Sequence, residues 1–309
     1  MNIVVTGAMG HIGSKLINRL SKLNKIKKIV IIDNFSSERY ISFINLQNRN
    51  KIIFFDDDLI DFNPKKIKIN IDCIIHLAST TNAEKSFLNK KKVLKNNIET
   101  TNKVLNLGKK NTKIIFASST SVYGSQFKII NSKNNFQNIS PQSPYAESKI
   151  VCENIIKKKS NNYCIMRFGT IFGMSDGMRF HTAINKFCYQ AVLNQKITIW
   201  KKFYKKKRPY LDLDDCIKSI IFCIFNEKIK NETLDVVTTN LKVIDIIKQI
   251  EKLKKINKSF VETPILNQLS YEVQSDRLKS LNFKFNGNLF SRIKKIIKKL
   301  DFNNDKKKK

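Results

Sequence analysis

The 309-residue sequence predicts an α/β protein built on a doubly wound parallel sheet. Short runs rich in Ile and Val alternate with amphipathic stretches through the first half of the chain. The first run leads into three regularly spaced glycines, and polar side chains follow several of the later runs. Strands that alternate with helices form parallel βαβ units, and such sheets bind ligands beyond the carboxyl ends of their strands.

The same patterns give the order of the elements. Strands are predicted at 2–6, 28–33, 51–55, 72–76, 113–118 and 163–167, with helices between them at 12–23 and 93–107. Beyond residue 173 helical patterns dominate, at 182–193, 214–225, 243–254 and 289–300, with a short strand at 197–200. We therefore expect a cofactor-binding domain over residues 1–170 and a smaller, mostly helical substrate-binding region over residues 171–309.

The first strand runs into Thr6-Gly7-Ala8-Met9-Gly10-His11-Ile12-Gly13 and then a helix. Glycines permit a tight turn and let the backbone approach a pyrophosphate, which the N–H groups of the helix N-terminus can bind. Asp33 ends the second strand about 20 residues later, where a carboxylate accepts from both ribose hydroxyls of an adenosine and repels a 2′-phosphate. Because the next arginine, Arg39, comes only after Asn34 and four further residues, NAD is favoured over NADP.

A second stretch, 143–149, offers a phenol and an ammonium four residues apart, on Tyr145 and Lys149. If the stretch opens a helix, both side chains lie on one face, one turn apart. An ammonium beside a phenol favours the phenolate and lowers the pKa of the phenol. Tyr145 is therefore a candidate base near neutral pH.

Composition excludes several classes of function. The six cysteines are scattered and share no ligand spacing with the three histidines, so we expect buried, reduced thiols in a cytoplasmic protein and no metal. No signal peptide and no apolar run long enough to span a membrane is recognised, and no membrane partner is expected.

The net charge of +33 is compatible with a nucleic-acid partner or an anionic substrate. The lysines are spread along the whole chain, however, together with an excess of Ile and Asn. Codons of all three residues are rich in A and T, so biased composition explains the charge, and nucleic acid is not expected as a partner. The lysine run at 306–309 is predicted to be a frayed end.

Several further motifs follow the predicted strands in order. Besides the glycines and Asp33 they are Asp58-Leu59, His76-Leu77-Ala78, the stretch 118–124 and Tyr145-x-x-x-Lys149. Together they resemble the extended short-chain dehydrogenase/reductases, specifically the NAD-dependent epimerase/dehydratase family that acts on nucleotide sugars. The resemblance covers nearly the whole chain, with a loose match at 267–271 and 275–277. It implies a Rossmann-type domain over 1–170, NAD as cofactor, and a homodimer formed through the helices after Asn97 and around Tyr145.

The resemblance also implies roles for individual residues. The catalytic residues would be Ser119, Tyr145 and Lys149. The cofactor would contact Gly7, Gly10, His11, Ile12, Gly13, Asp33, Asn34, Asp58, Leu59, Leu77, Ala78, Asn97, Ser118, Tyr145, Lys149 and Phe168. The substrate would contact Ser119, Thr170, Arg179, Asn185 and Arg208.

The chain departs from the family pattern at informative positions. Ser119 is followed by Thr120 and Ser121, where family dehydratases and decarboxylases carry an acid. This favours an epimerase that oxidises a sugar carbon transiently to a ketone. The alternatives are a dehydrogenase, reductase or dehydratase of the same family, or a non-catalytic protein that senses a cofactor or binds nucleic acid on a Rossmann scaffold. Pro209 and Asp212 replace the family's Asp and His after Arg208, which leaves the substrate open.

Overall fold

The computed structural model describes residues 1–83, 85–126, 128–131, 137–202, 204–262 and 270–302. Of the sequence predictions, the lysine tail at 306–309 and the family match at 267–269 lie outside these residues.

A seven-stranded parallel sheet forms the centre of the molecule. Its strands are β1 (Asn2–Thr6), β2 (Lys28–Asp33), β3 (Ile52–Asp56), β4 (Cys73–His76), β5 (Lys113–Ser119), β6 (Tyr163–Phe168) and β10 (Glu232–Val236), in the spatial order β10-β6-β5-β4-β1-β2-β3. The strand order reverses between β1 and β4, which is where doubly wound sheets bind their ligands. The predicted fold class is confirmed, and each predicted strand of the sheet lies within one residue of its observed bounds.

Helices cover both faces of this sheet because successive side chains of each strand point to opposite faces. On one face, α1 (Gly13–Leu20) and α6 (Leu213–Phe225) pack on Ile3 and Val5. On the other face, α3 (Lys90–Val104) and α4 (Pro144–Lys159) cover the sheet, and Val4 joins the core there.

The remaining elements form a smaller, mostly helical region beside the sheet. Its strands are β7 (Thr170–Phe172), β8 (Ile197–Trp200), β9 (Lys207–Asp212), β11 (Thr239–Lys242) and β12 (Lys258–Val261). Its helices are α5 (Ala183–Val192), α7 (Val243–Glu251) and α9 (Leu289–Leu300), which share one apolar core. Short helices α2 (Tyr40–Ile44) and α8 (Asp276–Ser280) complete the named elements.

The last strand of the large sheet, β10, comes from beyond the predicted division at residue 170. The division of the chain into residues 1–170 and 171–309 therefore stays a prediction, and the sheet itself draws on both parts. Within the described part of the chain, no helix is both long and apolar enough to cross a membrane.

Candidate active site

The glycine loop joins β1 to α1 and lies against the end of β4. Gly7 has a φ of +66°, and a Cβ there would lie 2.6 Å from the backbone nitrogen of Ala78. A Cβ on Gly13 would lie 2.4 Å from the carbonyl oxygen of Ala8. These two positions have no room for a side chain because neighbouring backbone fills the space. An anion can therefore come close to the backbone N–H groups at the start of α1.

Asp33 is fixed at the edge of this loop by two backbone hydrogen bonds. Its Oδ2 accepts from the Met9 N–H at 2.8 Å, and its Oδ1 accepts from the Phe35 N–H at 2.9 Å. Burial raises the pKa of Asp33, whereas these two bonds and the charge of Arg39 lower it. Each carboxylate oxygen keeps a second lone pair, so the group can still accept from ribose hydroxyls.

Asn34, Asp58 and Leu59 lie next to Asp33 at the ends of neighbouring strands. The side-chain amide of Asn34 donates to Asp58 Oδ2 at 2.8 Å, and the Ile60 N–H donates to Asp58 Oδ1 at 2.9 Å. The side chain of Leu59 is buried in the core on the α3 face. Asp58 is thus held by its neighbours, and only the backbone of Leu59 can face a bound adenine.

Ser119, Tyr145 and Lys149 meet at the carboxyl end of β5. The hydroxyl of Ser143 caps α4 by accepting from the Ala146 N–H at 3.1 Å, which places Tyr145 and Lys149 on the first turns of this helix. Tyr145 forms a side-chain hydrogen bond with Ser119. The Lys149 ammonium lies 5.7 Å from the centre of the Tyr145 ring. The structure therefore brings the three predicted catalytic side chains together.

A second cation, Arg179, acts on the phenol of Tyr145. Burial raises the pKa of Tyr145, and the charge of Arg179, followed by the bond to Ser119, opposes this rise. Burial also lowers the pKa of Lys149 to about 8. Its ammonium donates to the Ala117 carbonyl at 2.8 Å. In the protein alone the pKa of Tyr145 is therefore raised, Arg179 supplies the largest opposing charge, and the expectation that Lys149 lowers this pKa stays a prediction.

Two predicted cofactor residues support the site from behind. The hydroxyl of Ser118 donates to buried Glu153 at 2.6 Å, because neighbouring side chains of β5 point to opposite faces. Asn97 accepts from the Thr80 N–H at 2.8 Å and donates to Ser148 Oγ at 2.8 Å. Asn97 thus joins the segment after β4 to the helix that carries Tyr145.

The segment 173–179, here called the strap, crosses from β7 onto the glycine loop. The Gly177 N–H donates to Ser14 Oγ at 3.0 Å, and a Cβ on Gly177 would lie 2.4 Å from the Gly10 carbonyl oxygen. Asn185 holds the strap by accepting from the Gly173 N–H at 3.1 Å and donating to the Arg179 carbonyl at 3.0 Å. The Asn185 side chain is fully buried, so it positions Arg179.

Two contacts of the strap involve residues that the motifs did not mark, Thr81 and Ser175. Arg179 Nη1 donates to Thr81 Oγ1 at 2.7 Å, and Ser175 Oγ lies 3.0 Å from His11 Nδ1. The glycine at position 177 was the available signal, since an isolated glycine often marks a close backbone approach. Its partner could not be read from the sequence because Ser14, beside the glycine loop, lies 163 residues earlier in the chain.

Two of the predicted substrate residues, Thr170 and Arg208, lie in the short sheet β11-β9-β7. Thr170 pairs with Tyr210, and Arg208 precedes that tyrosine in β9. Burial raises the pKa of Tyr271, while the charge of Arg208 lowers it, so the guanidinium lies near this phenol. Tyr271 in turn forms a 3.2 Å hydrogen bond with Thr120 Oγ1, next to Ser119. Phe168 is buried at the end of β6.

Other titratable groups have structural roles. His76 is buried between Thr6 Oγ1 at 2.8 Å and Thr101 Oγ1 at 3.3 Å, and burial followed by the Lys149 charge lowers its pKa to about 3. All six cysteines are free and buried, as expected. Among the described residues, no group of His, Cys, Asp and Glu side chains could hold a metal ion.

Comparisons with known proteins agree with this geometry. Residues 3–236 match the NAD dependent epimerase/dehydratase family model. An uncharacterized UDP-glucose epimerase of Bacillus subtilis is 26% identical over 272 residues, which are 82% of this chain and 83% of that protein. A dTDP-D-glucose 4,6-dehydratase of Dictyostelium discoideum is 31% identical over 253 residues, which are 74% of this chain but only 56% of that protein.

Two solved structures share the fold. A UDP-glucuronic acid 4-epimerase from Bacillus cereus, in complex with UDP-glucuronic acid and NAD, aligns with a TM-score of 0.87 at 24% identity, covering 97% of this chain and 100% of that one. A UDP-N-acetylglucosamine 4-epimerase from Methanobrevibacter ruminantium aligns with a TM-score of 0.81 at 25% identity, covering 96% and 98%.

The residues present fit NAD. The side-chain-free glycine loop at the start of α1 suits a pyrophosphate, and the carboxylate of Asp33 at the end of β2 suits an unphosphorylated adenosine ribose. Tyr145 and Lys149, on the first turns of α4, lie at the carboxyl end of β5, which β4 separates from β1, and a nicotinamide ribose would follow there. The chain is an NAD-dependent enzyme and belongs to the NAD-dependent epimerase/dehydratase family.

Proposed function

We propose that this enzyme epimerises a nucleotide sugar through transient oxidation of one sugar carbon to a ketone. The observation that carries the proposal is the meeting of Ser119, Tyr145 and Lys149 beside the glycine loop. Thr120 and Ser121 follow Ser119 and carry no carboxylate that could protonate a leaving hydroxyl. This composition favours epimerisation over dehydration.

The side chains suit a reversible proton transfer. Ser121 donates its hydroxyl and its N–H to Ser119 Oγ, at 2.9 and 3.2 Å. Ser119 therefore directs its own proton to the Tyr145 oxygen, and would direct it to a substrate oxygen bound there. Tyr145, as phenolate, would take the proton from the sugar hydroxyl while Ser119 holds the same oxygen. Bound NAD supplies a nicotinamide that accepts hydride from that carbon and returns it. Tyr145 would give the proton back after the ketone has turned its other face.

Positive charge makes this proton transfer possible at a buried phenol. Burial raises the pKa of Tyr145, so the phenolate needs cations close by. Arg179 supplies one from the strap, and the oxidised nicotinamide carries another when it is bound. Both charges favour the phenolate at the stage where Tyr145 must accept a proton.

Basic groups on the substrate side support an anionic, nucleotide-bearing substrate. Arg208 lies near Tyr271, and Tyr271 also borders a cavity of about 320 Å³. The other residues that line this cavity include Lys128, Lys205, Lys206, Lys207 and Lys242. Cations so placed would bind the diphosphate of a nucleotide sugar, for which a guanidinium is well suited.

Three finer points remain part of the proposal. A homodimer is proposed through α3 and α4, which pack against each other and are linked by Lys90 with Glu147 and by Lys159 with Asn102. Mass determination in solution by light scattering tests it. A cytoplasmic location and a cofactor domain that ends near residue 170 stay predictions from the sequence.

The deciding experiment is product chromatography of purified enzyme incubated with catalytic NAD and a panel of nucleotide sugars. UDP-glucose, UDP-glucuronic acid, UDP-N-acetylglucosamine and dTDP-glucose form the first panel, because relatives are named for them or closely related sugars. We expect an epimer without net NADH, a Tyr145→Phe variant slowed by about 10²–10⁴-fold, and unchanged activity in the control Tyr189→Phe. Net NADH in proportion to product would make the enzyme a dehydrogenase instead.

A further inference from the structure

We propose that β3, the edge strand of the large sheet, pairs in antiparallel orientation with β3 of a second copy of this chain. Two seven-stranded sheets would thereby join into one continuous sheet. This contact uses other elements than the α3–α4 contact proposed above, and it does not depend on the proposed reaction. Its failure can therefore be told apart from the failure of either.

The apolar side chains of β3 lack the cover that the neighbouring strand has. β3 lies at the end of the strand order and pairs only with β2. Its apolar residues, 52–55, are all partly exposed, whereas residues 29–32 of β2 are at most 1% exposed. An apolar edge of this kind is a template for pairing with another strand.

The register of the sheet shows which backbone groups of β3 point outward. The Gly7 N–H donates to the Ile32 carbonyl at 3.1 Å, so Ile32 faces β1 and the preceding residue, Ile31, faces β3. Ile31 lies beside Phe54 in the parallel ladder, so its two bonds go to residues 53 and 55. The backbone of the alternate residues of β3 therefore points away from the sheet.

Three residues, Ile52, Phe54 and Asp56, present these outward groups. The Ile52 N–H already donates to the Arg49 carbonyl. The Ile52 carbonyl, both groups of Phe54 and the Asp56 N–H form no hydrogen bond within the described part of the chain. In an antiparallel ladder centred on Phe54, the two Phe54 residues exchange both bonds, and the Asp56 N–H donates to the Ile52 carbonyl of the second copy.

The charges at the two ends of β3 favour a second copy of the same strand. Arg49 and Lys51 precede it, and Lys28 donates to the Asn50 carbonyl at 2.9 Å, so its start is basic. These cations donate to backbone carbonyls and, among the described residues, pair with no acid. Residues 56–58 are three aspartates, so its end is acidic. Antiparallel pairing sets the basic start of each copy against the acidic end of the other, whereas parallel pairing sets like charges together.

The ladder centred on Phe54 also fixes the facing side chains. It places Lys51 opposite Asp57 of the second copy, once at each end. Lys51 Nζ donates to the Leu23 carbonyl at 3.1 Å and has two further hydrogens. Asp57 binds Lys66 through Oδ2 at 2.7 Å, which leaves Oδ1 for another cation. Both groups can therefore form the new pair and keep their present partners.

An apolar patch on α2 lies beside the centre of this ladder. The ring of Phe43 packs on that of Phe54, with centroids 4.9 Å apart. Tyr40, Ile41 and Ile44 on the same short helix are 57%, 50% and 62% exposed. Because Phe54 lies on the two-fold axis, the α2 helices of both copies lie on one face of the joined sheet, where these side chains would be covered. Contiguous exposed apolar side chains are typical of interaction sites.

Sedimentation velocity over a concentration series tests the contact by measuring the Kd of self-association. Asp56→Pro removes an outward N–H and leaves the bonds to β2 intact. Asp56→Lys places a cation beside the basic end of the second copy. Because each change occurs twice in a two-fold contact, we expect either to raise the Kd about ten- to hundredfold. The control Asp61→Lys makes the same change of charge at an exposed residue outside the strand and should leave the Kd unchanged.

Cysteine trapping tests the register. The six native cysteines are buried and therefore do not cross-link. In the double variant Lys51→Cys with Asp57→Cys, thiols of different copies face each other with Cα atoms about 4.5 Å apart, which suits a disulfide. In Lys51→Cys alone the two thiols lie about 20 Å apart across the axis. We expect mild oxidation to give a covalent dimer from the double variant only.

The outcomes separate this contact from other forms of association. If the α3–α4 contact also forms, the wild type is a tetramer and the Asp56 variants stop at the dimer. A wild type that stays monomeric at every concentration overturns the proposal. A Kd that neither Asp56 variant changes would place the contact on other elements, and an equal cross-link in Lys51→Cys alone would refute the register. Asp56→Lys keeps the test decisive if proline disturbs the strand.

Discussion

The buried ion pair beneath the active site should be strongly coupled. Arg167 and Glu153 are almost fully buried and are joined by two bonds, Nε to Oε1 at 2.9 Å and Nη2 to Oε2 at 2.6 Å. Ser118 on β5 donates to the same carboxylate, and Arg167 also donates to the Tyr123 hydroxyl at 2.9 Å. The pair therefore joins α4, β5 and β6 directly behind Ser119.

Removing one charge of this pair should lower the free energy of unfolding far more than removing both charges. A single change, Glu153→Met or Arg167→Met, leaves a buried charge without its main partner, which costs about 3–5 kcal/mol. For a protein of this size that lowers the Tm by on the order of 10 °C. The double variant removes both charges, and replacing a buried pair by apolar side chains of similar volume is often nearly neutral. We expect the double variant to lose much less unfolding free energy than the sum of the losses in the two single variants.

Urea unfolding of the four proteins measures this coupling, provided that each transition is reversible. A matched control is the bidentate pair Arg277–Glu232, with bonds of 2.8 and 2.6 Å but side chains 40% and 24% exposed. Glu232→Met should cost at most about 1 kcal/mol because the remaining charge keeps its water. If the losses at Arg167 and Glu153 simply add, or if they equal the control, the argument from burial is refuted.

Two further predictions concern the site itself. Arg179→Met should move the ascending limb of the pH profile of kcat/KM to higher pH, because it removes the charge that opposes the raised pKa of Tyr145. The control Arg179→Lys should leave this limb nearly in place. An unmoved limb in Arg179→Met would contradict the prediction. Gly7→Ala should lower the Tm, since a left-handed alanine costs about 1–2 kcal/mol and its Cβ would lie 2.6 Å from Ala78 N. Gly10→Ala should lower the Tm less, because the added Cβ would lie 3.3 Å from its nearest neighbour, the Gly7 carbonyl oxygen. Equal melting temperatures for the two variants would count against the packing argument.

The strands that the sequence predicted are those whose burial shows in their composition. β1 and β2 are continuous apolar runs because parallel strands with helices on both faces leave no side for polar residues. β10 escaped prediction because Glu232, Thr233 and Asp235 interrupt its apolar pattern. Asp235 is nevertheless buried, since it accepts from the Tyr123 hydroxyl at 2.6 Å. A polar residue paired across the sheet looks like a loop residue until its partner is known.

The predicted site residues also fall into those that local sequence determines and those that depend on distant partners. Tyr145 and Lys149 follow from spacing on one helix, and the glycine loop follows from one turn, so local sequence suffices for both. The orientations of Ser118 and Asn185 depend on partners in other elements, Glu153 for one and the strap for the other. A list of motif residues gives their place in the chain but not the side to which each side chain points.

The candidate base Tyr145 shows why contacts between distant elements matter for the mechanism. The local rule, an ammonium four residues after a phenol, attributes the activation of Tyr145 to Lys149. In the folded protein Lys149 donates to a β5 carbonyl, and the largest opposing charge comes from Arg179 on the strap. Because Asn185 and Thr81 hold that arginine, the electrostatics of the base depend on contacts between the substrate-side region and the sheet. The same strap packs on the glycine loop through Gly177, so one segment contacts the loop and also carries the charge that acts on Tyr145.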